Sequence, residues 1–135
     1  MASIQNVRFK TLEEFFDYLP PDELKISRFL YELTQDCLPF STNKLSFNVP
    51  YFYGHRAICF IWPGSVLWGK KRTYKGVRFG LTSGHLLNDE TQYFKLESRK
   101  FVSYRDFENI HEIDIDLLKS LLFEAWDIDQ SKKSK

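Results

Sequence analysis

The chain has 135 residues, 43% hydrophobic and 17% aromatic, and its 19 basic side chains nearly balance 18 acidic ones for a formal charge of +1. This length and composition predict one domain with a substantial core and exclude a disordered polar chain. The near-neutral balance supplies no global field to attract duplex DNA or an anionic membrane, so neither is expected as a partner.

In chain order, Thr11, Leu12, Glu13 and Glu14 form a capping box that opens a short helix to about Tyr18. Pro20 and Pro21 stop it, and Pro21 can begin a second helix, with Asp22 and Glu23 favourable at its positive end. Ile26, Phe29, Leu30, Leu33 and Cys37 then recur as one apolar stripe until Pro39. From Asn43 the period becomes two. Leu45, Phe47 and Val49 alternate with Lys44, Ser46 and Asn48, which predicts one strand ended by Pro50.

Tyr53 to Arg56 reads as a turn around Gly54. The run Ala57–Trp62 is apolar on both parities and predicts a central strand covered on both sides. After the Pro63-Gly64 turn, a short strand is expected over 65–69, then a basic loop over 70–76 and a strand of alternating residues over 77–81. One helical turn near Leu86 and weaker strands over 94–96 and 100–104 follow. Asp114 and Asp116 suit the start of a last helix carrying Leu117, Leu118, Leu121, Leu122 and Ala125.

The expected layout is an N-terminal extension over 1–10, one domain over 11–129 and a disordered basic tail over 130–135. Its class is α+β: an antiparallel sheet of about five strands flanked by N- and C-terminal helices. Cys37 and Cys59 lie in apolar runs and read as small buried hydrophobes, not a disulfide framework. The opening residues lack a signal peptide's apolar stretch, and no apolar run nears the roughly 20 residues of a membrane span. A cytoplasmic protein is expected.

Lys44-Leu45-Ser46-Phe47-Asn48-Val49-Pro50-Tyr51-Phe52-Tyr53-Gly54, leading into Ile58-Cys59-Phe60-Ile61-Trp62, resembles the signature of the YdhG-like domain family, a domain of unknown function. Val77–Leu81 with Gly84-His85-Leu86-Leu87, the segment 101–104 and the helical start 12–38 extend the resemblance over about 11–128. It implies an α-β-α, frataxin-like domain, and for some members an iron-chaperone role through carboxylates on the first helix and first strand. The first strand here offers Lys44, Ser46 and Asn48 instead of acids.

Three groups of residues are candidate sites. Glu13, Asp17 and Asp22 are the metal candidates, because hard cations such as iron favour several carboxylate oxygens. The same acids would equally complement helix N-termini. Phe47, Tyr51, Phe52, Tyr53, Phe60, Trp62, Trp68 and Phe79 are candidates for lining an aromatic pocket, with Tyr51, Tyr53 and Trp62 at its rim, although aromatic residues also build cores. Lys70, Lys71, Arg72 and Tyr74 interleave cations with rings, as nucleic-acid or phosphoryl-ligand binders do, but lysines also protect sheet edges.

His55, Cys59 and His85 could meet only in space, since no metal-ligand spacing links them. No nucleophile elbow, phosphate loop or dinucleotide fingerprint occurs, so no catalytic residue is assigned. The expectation is a non-enzymatic cytosolic binding domain, monomeric or homodimeric, with iron as the metal the resemblance implies. The alternative is a protein, nucleic-acid or phosphoryl-ligand adaptor using loop 68–76.

Overall fold

A computed structural model describes residues 5–69, 71–89, 92–96 and 101–131. The helices are α1 (Leu12–Tyr18), α2 (Pro21–Cys37) and α3 (Ile115–Ser131). The strands are β1 (Thr42–Ser46), β2 (Val49–Tyr53), β3 (Ala57–Pro63), β4 (Val77–Leu81), β5 (Lys95–Leu96) and β6 (Ser103–Phe107). Together the strands form one open antiparallel sheet in the order β1-β2-β3-β4-β6-β5. The fold is α+β. No helix among the described residues is long and apolar enough to cross a membrane.

The helix starts follow their capping residues. Thr11 Oγ1 accepts from Glu14 N at 3.1 Å, and Glu14 reaches back to Lys10 N at 2.7 Å. Pro21 opens α2, where its missing amide costs nothing. Asp114 Oδ1 accepts from Leu117 N at the start of α3. The segment 130–131 belongs to α3, and the tail beyond it lies outside the described residues.

Ile26, Leu30, Leu33 and Cys37 of α2, and Leu118, Leu121 and Leu122 of α3, are buried. α2 packs on β3, β4 and α3, while α3 also meets β3, so helices from both ends of the chain share one side of the sheet. Phe52, Cys59, Ile61, Phe79, Leu81 and Phe107 supply that side of the sheet and are completely buried. Residues 5–9 join the structure through Asn48. Its Oδ1 accepts from Phe9 N, and its Nδ2 donates to Val7 O and Gln5 Oε1, all at about 3 Å.

Two expected strands are corrected. The alternation over 43–49 does not run through as one strand: Phe47 (φ 55°) and Asn48 (φ 67°) form a two-residue turn with both φ positive, the type I′ form that joins β1 to β2. Pro50 sits inside β2 instead of ending a strand. Ser46 and Val49 flank the turn as a hydrogen-bonded pair, so Leu45 and Pro50 form the next, non-hydrogen-bonded pair. Pairing with β3 begins only at Tyr51, and the missing proline amide interrupts neither ladder.

The expected strand over 65–69 is a folded-back loop with one isolated bridge between Trp68 and Lys71. Ser65 N donates to the Glu23 carboxylate and Val66 N to Pro63 O, which leaves these amides no part in a ladder. β3 is central, and both its parities are largely buried. Helices cover one parity. The other is covered by neighbouring rings and this loop, from which Val66 is buried.

Candidate aromatic cleft on the helix-free face

Strand alternation sends every second side chain away from the helices. The pairing registers align these as two rows across the sheet. Tyr51, Phe60, Gly80 and Tyr104 form one, and Trp62, Arg78 and Asp106 the other. Residues 64–69 and 71–74, the β1–β2 turn and residues Leu96 and Val102 rise around these rows. They enclose a cleft of about 650 Å³ whose lining includes Phe47, Tyr51, Trp62, Trp68, Tyr74 and Arg78. A second indentation, between β3 and α3, holds only about 20 Å³.

Gly80 shapes the floor. A Cβ there would lie 2.1 Å from the Phe60 ring, so only glycine lets that ring lean across β4. Phe60 in turn packs on Tyr51 at 5.1 Å between centroids and edge-on against Trp62 at 6.1 Å. At the mouth, Phe47 stacks on Trp62 at 6.3 Å and meets Trp68 edge-on at 5.6 Å. Phe47 and Trp68 remain 54% and 53% exposed.

Polar tips in the cleft are tied down from within. Trp62 Nε1 donates to Val66 O and the Tyr74 hydroxyl to Trp62 O, both at 2.6 Å. Burial pushes the Tyr74 hydroxyl above its ordinary value. The Arg78 guanidinium lies 4.1 Å from the Tyr74 ring centre and 4.1 Å from that of Tyr104, a sandwich between two rings. Its Nε and Nη2 bind the two Asp106 oxygens at 2.7 and 3.0 Å. Burial opposes the Arg78 charge, but hydrogen bonding and attraction to Asp106 outweigh it and raise the pKa.

Ser65 and Arg72, on this wall of the cleft, are held by a buried carboxylate from α2. Glu23 is 2% exposed and accepts from Ser65 N at 3.0 Å, Ser65 Oγ at 2.8 Å and Arg72 Nη2 at 2.7 Å. A parallel device fixes the β2–β3 turn, where Asp129 of α3 accepts from His55 N at 2.7 Å and Arg56 N at 3.0 Å. In both places a helix carboxylate satisfies loop amides that have no ladder partner.

The sequence candidates distribute unevenly over this geometry. Tyr51, Trp62, Trp68, Lys71 and Tyr74 line the cleft. Tyr53 stands beside it, stacked on Tyr51 at 6.2 Å, with Lys44 Nζ 4.9 Å above its ring. Arg72 is turned toward Glu23. Lys70 lies outside the described residues. Phe52 and Phe79 belong to the helix-side core.

Arg78 and Tyr104 were not among the candidates. The alternation over 77–81 already placed Arg78 on the wet parity, and that signal could have found it. Glu13, Asp17 and Asp22 are exposed. Among the described residues no three His, Cys, Asp or Glu side chains gather to hold a metal, and this includes the trio His55, Cys59 and His85.

Fold and site together define an α+β domain with helices on one face of its sheet and an aromatic cleft on the other. No family model, curated protein or solved structure matches the chain.

Proposed function

We propose that this chain is a non-enzymatic binding domain of the YdhG-like type whose ligand enters the aromatic cleft with a planar ring. The carrying observation is Phe47. A bulky aromatic residue at positive φ is a genuine outlier in a turn where Asn, Asp or Gly would fit without strain. Such strain at an exposed position is typical of functional sites. The strained backbone holds a half-exposed ring at the cleft mouth against Trp62 and Trp68. The cleft volume falls within the range of small-molecule sites, and its lining is mostly aromatic and aliphatic. Iron handling, which the family resemblance implies, finds no converging carboxylates among the described residues.

The test uses the neutral fluorescent ring compound N-phenyl-1-naphthylamine as probe. Phe47→Asn relieves the turn and removes the ring. It is expected to leave stability to urea unchanged or raised by about 1 kcal/mol while weakening probe binding severalfold. Trp68→Ala should weaken binding likewise. Binding that neither substitution alters removes the cleft reading.

A further inference from the structure

Resting on the cleft reading, we infer that the ligand is a planar aromatic anion, a ring system bearing a carboxylate, sulfonate or phosphate, selected over its neutral counterpart by Lys71. Among the described residues the cleft lining contains two cations, Lys71 and Arg78, and no carboxylate. These two cations differ in what they can offer. Arg78 is neutralised by its bidentate pair with Asp106, and both faces of its guanidinium are occupied by rings. Its Nε–H and one Nη2–H are taken by Asp106, which leaves one Nη2–H and the two Nη1–H groups as directed donors on a neutralised pair. Neighbouring Arg72 is likewise committed, to Glu23. Lys71 is exposed and has no acidic partner among the described residues. Among the described residues the cleft therefore carries an uncompensated positive charge at its rim, above the rings of Tyr51, Phe60 and Trp62.

A ring seated over Tyr51 and Trp62 would lose water from its faces. A negative substituent near Lys71 would keep a wet, screened contact that needs no burial of charge. This division of labour favours an amphipathic anion over a neutral ring, because the anion gains Lys71 without the desolvation that an ion-pair buried on both sides incurs. It disfavours a cationic ring, which would meet Lys71 with no acid among the described lining residues to compensate.

The experiment compares 8-anilinonaphthalene-1-sulfonate with N-phenyl-1-naphthylamine, the same rings with and without the anionic group. Water-to-oil transfer alone favours the neutral probe. The expected result is the reverse, with the sulfonate bound about two- to fivefold more tightly at low salt and the advantage shrinking as salt screens it. Lys71→Gln should remove that advantage and leave the neutral probe's affinity within about twofold.

Equal or better binding of the neutral probe, or an anion preference that Lys71→Gln leaves intact, overturns the inference. If both probes still respond to Trp68→Ala, the cleft reading survives that outcome. If neither probe responds to Trp68→Ala or Phe47→Asn, the cleft reading itself fails. Aromatic carboxylates and nucleoside monophosphates, competed against the bound sulfonate, then distinguish the two natural sources of such an anion.

Discussion

Glu23 occupies the first turn of α2, where an acid is expected for reasons of helix polarity alone. Its neighbour Asp22 fits that account and faces solvent. Glu23 instead turns inward and satisfies the Ser65 amide, the Ser65 hydroxyl and Arg72. The two ends of the Glu23–Arg72 pair are unequal, since their side chains are 3% and 43% exposed. Glu23→Ala would strand part-buried donors of Ser65 and is expected to cost about 2 kcal/mol. Arg72→Ala leaves a carboxylate still holding two donors and removes a partly exposed cation with its bond to Tyr74 O, so its expected cost is the smaller, about 1 kcal/mol. Urea denaturation of both variants checks the asymmetry, and equal losses would mean that the ion pair, not the loop tether, carries the stability. Because Glu23 anchors the wall of the cleft, Glu23→Ala should also weaken ring-probe binding more than Arg72→Ala does.

At the scale of the element, the β1–β2 hairpin joins two roles in Asn48. Its backbone sits at φ 67°, and its side chain ties residues 5–9 to the turn. Asn48→Gly keeps the backbone conformation and removes the tether, for an expected loss of about 1–2 kcal/mol. Asn48→Ala also introduces left-handed strain and should lose about 1 kcal/mol more. Thermal unfolding of the pair separates these contributions, and indistinguishable variants would show that the turn conformation is immaterial to stability.

This hairpin also marks where the sequence stops being legible. The helices could be read because their signals are local: the Thr11–Glu14 box, the proline at 21 and the stripe from Ile26 to Cys37. β3 and β4 could be read from apolar runs and alternation. The turn at 47–48 could not, because alternation continues through it and phenylalanine rarely takes positive φ. The loop at 65–69 could not either, because the partner that captures the Ser65 amide lies 42 residues away. The cleft was half legible for the same reason. Its rings on β2 and β3 announce themselves as strand aromatics, whereas Tyr104 joins them only through the pairing of β6 with β4.

For the molecule as a whole, several ionisable groups are held neutral by the packing. Burial raises the pKa of Cys59, Tyr74, Tyr31 and Tyr93, from ordinary values of 9.0 for the thiol and 10.0 for the phenols. Each keeps its proton in the folded chain at a pH where the unfolded chain releases it. The unfolded chain then binds fewer protons, so stability falls as pH rises. Their stabilising effect is fully present below about pH 9 and is lost progressively as pH climbs through the raised folded values. Tyr74 isolates one share of this effect, since its hydroxyl donates to Trp62 O and its ring supports Arg78. Tyr74→Phe keeps the ring and should cost about 1 kcal/mol at neutral pH through the lost hydrogen bond. The variant has no phenol to ionise, so its stability should fall less steeply above about pH 10, and its deficit against the parent should narrow. Urea midpoints for both proteins between about pH 8 and 11 test this, and parallel curves across that window would place the alkaline sensitivity on Cys59 and the other tyrosines instead.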